Sequence, residues 1–234
     1  MSERGVEDIS RDADGIHPPG AVLSRPLPEQ ELRRTDRPSS HESVIDDADL
    51  ARTAEYALLS ALLIGPPNAG LLRDIAAIGD EATELGRAHA ALAQAAETIR
   101  PDHLDREYFN LFIGLGRGDL LPFGSYYLTG FLHERPLARL RSDLAEIGIT
   151  RAEHHHEPED HIAILCEIMA GLAGGRFKAP EGSERRIFER HLAPWAARFF
   201  ADLEAAPSAD FYRHVGRIGR LFMEIETEAF ALPD

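Results

Sequence analysis

Apolar residues recur at three- and four-residue steps through almost all of the chain from Val44 onward, and no stretch alternates with period two for more than a few residues. A chain patterned this way buries its apolar faces by packing helix on helix, not by building a sheet. In the first run, Leu50, Ala54, Ala57, Leu58, Ala61 and Leu62 form a stripe that Gly65-Pro66-Pro67 ends. Two Ala-rich helices are expected at about 69–78 and 80–98. Asp102 is placed to cap the next, which carries Leu104, Tyr108, Leu111 and Phe112 and stops in Gly114-Leu115-Gly116-Arg117-Gly118.

After a loop through Pro122, a helix over 136–147 ends at Gly148. Pro158 suits the first position of a helix over 158–173, where a missing N–H costs nothing; its stripe is Ile162, Leu165, Met169 and Leu172. A helix over 184–204, capped by Ser183, carries Phe188, Leu192, Trp195, Phe199 and Leu203. The last, over 208–230, carries Phe211, Val215, Ile218, Phe222 and Ile225. The expectation is an all-α chain with one helical-bundle domain over 44–234.

Residues 1–43 read differently. Five prolines, nine acids, six arginines and no sustained apolar period leave too little surface to offset the entropy of ordering. They are expected to form a disordered tail, within which a short segment such as Ala21-Val22-Leu23 could dock.

Charge and cysteine usage exclude several function classes. The net charge is −15, and no Lys/Arg cluster exists to neutralise a nucleic-acid backbone. The acidity instead favours a basic partner. A single cysteine, Cys166, excludes an internal disulfide framework and a thiolate zinc site, and fits a reducing compartment. The longest apolar stretch, Tyr56 to Ile64, is broken by Ser60 and falls short of the roughly 20 residues a membrane span needs. The twin arginine Arg33-Arg34 lacks the apolar run of an export signal. These features point to a soluble cytoplasmic protein.

Four imidazoles within eight residues, His154-His155-His156 and His161, raise a metal site. Helical metal ligands share a face at i and i+3 or i+4, whereas consecutive histidines in a polar linker diverge, so a solvated linker is the default. The alternative is a metal-dependent hydrolase or oxygenase built on His154–His161. The glycine-dense 114–118 segment follows a helix and lacks the Gly-Lys-Ser/Thr of a phosphate cradle; it gives the backbone a sharp exit and a hinge.

Two segments carry more than packing demands. Phe123, Tyr126, Tyr127 and Phe131 place four aromatics within nine residues, in or beside a loop. They either line a groove for an apolar peptide or plug one end of the bundle. In Glu157-Pro158-Glu159-Asp160-His161, carboxylates in a first helical turn complement the macrodipole. The same Asp-His pair could present an anion and a switchable imidazole to a basic ligand.

Taken together, Tyr108-Phe109-Asn110-Leu111-Phe112-Ile113-Gly114, Pro122-Phe123-Gly124-Ser125-Tyr126-Tyr127 and Glu157-Pro158-Glu159-Asp160-His161 resemble the TorD/DmsD family of molybdenum and tungsten oxidoreductase chaperones. The third stretch looks like the family's E-P-x-D-H signature and the second like its P-[YWF]-x-S-x-[YW] segment. Phe188 to Trp195, followed by Phe211-Tyr212-Arg213, looks like its late helices. The likeness spans about residues 50–230.

The resemblance implies a TorD-like helical bundle with no catalysis and no cofactor of its own. It implies a cytoplasmic chaperone that binds an immature oxidoreductase, through its twin-arginine signal peptide or its apo-enzyme body, and assists cofactor insertion. Asp160 and His161 match the family's recognition pair, beside Glu157; Pro122, Ser125 and Tyr127 match the groove segment, with Phe123, Tyr126 and Phe131 as its apolar lining. Gly124 stands where an acid is common, and the Gly-Ser-Tyr-Tyr-Leu-Thr-Gly run is similar to members encoded beside formate dehydrogenases. That implies a formate dehydrogenase catalytic subunit as partner, with the chaperone a monomer or a domain-swapped dimer. A permanent structural subunit of the oxidoreductase is the remaining alternative.

Overall fold

The computed structural model describes residues 46–79, 82–150 and 157–232. The expected tail, 1–43, lies outside the described residues, as does His154-His155-His156. In chain order the helices are α1 (Asp47–Leu63), α2 (Ala69–Ala76), α3 (Glu84–Thr98), α4 (Pro101–Tyr108), α5 (Gly124–Thr129), α6 (Arg135–Glu146), α7 (Ile162–Ala173), α8 (Ser183–Ile187), α9 (Ala196–Ala205) and α10 (Phe211–Ala231). α4 runs on into a π-helical turn, Phe109–Ile113, and α8 into another, Phe188–Leu192. The described residues contain no strand, and no helix among them is long and apolar enough to cross a membrane.

α7 is the hub. Ile162 to Cys166 and Ile168 to Gly171 are all buried, so the helix is covered on every side. α1 packs along it, α9 and α10 form an antiparallel pair, and α3 lies on α10. One continuous core joins Tyr56, Leu59, Leu165, Trp195, Phe199, Phe200 and Tyr212. Two buried polar groups tie it across the chain: Tyr212 Oη donates to Leu62 O (3.0 Å), and Tyr56 Oη donates to Glu226 (2.8 Å).

Several expectations are corrected. α1 buries Tyr56, Leu59, Leu62 and Leu63, while Leu50, Ala54, Ala57 and Ala61 of the anticipated stripe are exposed. The helix has two apolar faces, and the bulkier one wins the core. Arg100, not Asp102, occupies the cap of α4, because Pro101 takes the first helical position. The helix expected over 184–204 is broken at Ala193-Pro194-Trp195. Pro194 cannot donate a helical hydrogen bond, and the chain compensates with the π turn, where Ala193 N donates five residues back to Phe188 O (2.9 Å). α7 begins at Ile162, not at Pro158, which sits in a preceding turn closed by His161 N donating to Pro158 O (3.0 Å).

Candidate functional site

The two sequence segments singled out above meet in space. Gly124 N donates to Asp160 O and Ile162 N donates to Pro122 O, both at 2.9 Å, so the 122–124 and 160–162 backbones lie antiparallel as a single bridge between Phe123 and His161. The Phe123 ring stands edge-on to the His161 imidazole with centroids 5.1 Å apart. Gly124 is required by close approach: a Cβ there would come within 2.9 Å of Trp195 Nε1, which donates to His191 O (2.7 Å).

The buried side chains of the acidic segment, Glu159, Asp160 and His161, each hold a specific partner. Asp160 is only 3% exposed, and its Oδ2 accepts from Ser125 N at 2.8 Å, capping α5 from 35 residues away. Glu159 is therefore not in a first helical turn; it is buried and paired with Arg141 (2.8 Å). His161, 6% exposed, is the N-cap of α7, its Nδ1 accepting from Ala163 N at 3.1 Å. Glu157 is exposed. Two buried atoms, Asp160 Oδ1 and Ser125 Oγ, have no hydrogen-bond partner.

A capping Nδ1 carries no proton, and burial lowers the His161 pKa to about 4. In the unfolded chain the group titrates near 6.5. Below that pH the unfolded state binds a proton that the folded state refuses, so stability is complete above about pH 6.5 and falls as the pH drops toward 4. Between pH 7.5 and 5 this group should cost about 2 kcal/mol. Urea unfolding at the two pH values checks it. His161→Asn keeps a capping oxygen without the titration, and should remove most of the difference.

The surface beside this junction is apolar and aromatic. Phe131 is 69% exposed, and Leu128 and Leu132 are exposed with it. Pro122 and Ser125 are buried; Phe123, Tyr126 and Tyr127 are half-buried. Tyr126 and Tyr127 line a cleft of about 350 Å³ shared with Arg117, Asp119, Arg198 and Asp202. Arg117 donates to Tyr126 Oη (2.7 Å) and lies over its ring, while Arg198 lies over the ring of Tyr127. Tyr127 Oη donates to Asp202 Oδ2 (3.0 Å); burial first, and then this carboxylate, push the phenol well above its ordinary range.

Asp119, Asp202, Arg117 and Arg198 were not singled out from the sequence. Asp202 lies 75 residues from Tyr127 on an otherwise ordinary helix face, and nothing local marks it. For metal chemistry, no group of three or more His, Cys, Asp and Glu residues among those described could hold an ion.

A family model described as nitrate reductase delta subunit matches residues 79–201, more than half the chain. The chaperone protein TorD of Aliivibrio salmonicida is 25% identical over 138 residues, covering 55% of this chain and 64% of its own. The Tat proofreading chaperone DmsD of Salmonella paratyphi A is 32% identical over 138 residues, covering 56% and 64%. The chain thus spans just under two thirds of the length of these relatives. A solved structure of a candidate redox enzyme maturation protein from Archaeoglobus fulgidus aligns over 82% of this chain and 99% of its own, with 21% identity and a TM-score of 0.49.

Proposed function

This chain belongs to the nitrate reductase delta subunit family, the TorD/DmsD group, and from that premise we propose that it is a cytoplasmic maturation chaperone for a molybdenum or tungsten oxidoreductase. It holds the immature catalytic subunit, by its signal peptide or its apo-enzyme body, while cofactor is inserted. A formate dehydrogenase catalytic subunit is the proposed client. The observation that carries this reading is an exposed apolar lip, Leu128, Phe131 and Leu132, set beside an aromatic cleft that also holds carboxylates. The lip suits an apolar segment, while the cleft, in which Arg117 and Arg198 balance Asp119 and Asp202, adds polar partners without net charge.

Within the site, the client's apolar part lies on the lip and on Tyr126 and Tyr127. Its arginines meet the exposed Glu157, because Asp119 and Asp202 already accept from Ser208 and Tyr127 and share their cleft with Arg117 and Arg198. Asp160 and His161 are positioning residues that hold the two loops in register. The overall charge of −15 speeds the encounter with a basic segment, and apolar contacts set its residence time.

Affinity capture of the full chain from cells, followed by mass spectrometry, tests the reading. The expected result is an oxidoreductase catalytic subunit that comes down free of its cofactor and is absent once loaded. A subunit captured equally in its mature form would make the protein a permanent structural component. Capture of no oxidoreductase would remove the chaperone assignment.

A further inference from the structure

Away from the client site, the second apolar face of α1 is left open. Ala48, Ala51 and Ala54 are exposed along it and line a groove of about 620 Å³, to which α10 contributes Phe222 and Ile225. Ile225 is itself exposed. On its α3 side the groove is walled by Leu85 and His89, and its charged groups are already committed, Glu55 to His89 (3.0 Å) and Glu226 to Arg52. Glu226 is fully buried, accepts from Arg52 Nε and an Arg52 terminal nitrogen at 2.7 Å each, and accepts from Tyr56 Oη. What remains to be recognised is apolar.

We propose that the chain's own N-terminal segment occupies this groove, with Ala21-Val22-Leu23 seated on the alanine stripe of α1. Three observations select this occupant. The 45 residues before the α1 cap, Asp46, enter the domain beside the groove, since Ala48 is the second residue of the helix. Leu23 lies 23 residues from Asp46 in sequence; a link of that length with random-coil statistics spans roughly 25 Å on average, against about 15 Å for the groove along Ala48–Leu58.

A tether matched to its span gives an effective concentration on the order of millimolar, which a second copy of the chain does not approach at ordinary concentrations. Alanines leave shallow sites that valine and leucine side chains fill. Arg25, two residues after the triplet, matches in sign the exposed Asp47 of the first turn of α1, Asp49 being paired with Arg52 (3.1 Å).

The test uses the full chain. Its one native cysteine, Cys166, is buried, so an Ala51→Cys variant carries a single accessible thiol in the groove. Its labelling rate is measured with the native tail and with Val22→Asp/Leu23→Asp added. The expected result is labelling about tenfold faster when the triplet is charged. Ala61→Cys, exposed on α1 but not among the groove residues, is expected to label at the same rate in both backgrounds. Equal rates at Ala51 would overturn the proposal. So would acceleration at Ala61 as well, which reports general loosening, and so would protection that rises with protein concentration, which makes a second copy the cover.

Discussion

Glu107→Ala is expected to lower stability by about 3 kcal/mol. The Glu107 carboxylate, buried on α4, accepts from three consecutive backbone donors: Asp210 N (2.7 Å), Phe211 N (3.2 Å) and Tyr212 N (2.8 Å). These are orphan N–H groups at the start of the 21-residue α10, and Asp210, at its cap, supplies no side-chain bond of its own. Phe211 and Tyr212 are buried, so water does not readily replace the lost acceptor. The negative charge also sits at the positive end of the α10 dipole. Glu107→Gln keeps one oxygen but brings an amide nitrogen toward the same donors, and should cost about half as much. Urea unfolding with an unchanged m-value checks both. A loss below about 0.5 kcal/mol for the alanine variant would mean that the α10 start is held by its apolar side chains alone.

That clamp also shows what a sequence conceals. Glu107 reads as one more surface acid on an amphipathic helix, because its partners lie more than 100 residues away. The same reason hid the role of Asp160: its bond to Ser125 N joins two loops that are not neighbours in the chain. Elements whose evidence is local were legible. α7, α9 and α10 follow from repeated apolar spacing; Pro194 breaks the expected 184–204 helix, and Pro158, expected at the first position of α7, sits in the turn before it. α5 has six residues, begins at a glycine and is capped from outside, so no periodic signal could reveal it. The aromatics of the candidate site were visible as a cluster. Their partners were not: helix packing brings in Arg198 and Asp202, and the fold of the 114–118 loop brings in Arg117.

Phe131→Asp and Asp160→Ala should separate the surface that binds from the clamp that supports it. Phe131 is an exposed ring without a burial role, so a charge there should leave the melting temperature within a degree or two of the parent. If the apolar lip receives the client, the same change should weaken capture about 30-fold, the scale of a central interface residue.

Asp160→Ala does the reverse. It strands the Ser125 N–H inside the protein, and is expected to cost about 2 kcal/mol of stability and to loosen the loop junction before any client is present. Asp160→Asn is the decisive third variant. An asparagine oxygen can still accept from Ser125 N, so the clamp survives while the charge is gone. If Asp160 positions the loops, the asparagine variant captures client nearly as well as the parent and folds nearly as stably. Lost capture with stability retained would instead mean that the Asp160 charge meets a client arginine directly. The buried, unpartnered Oδ1 would then be the atom that receives it.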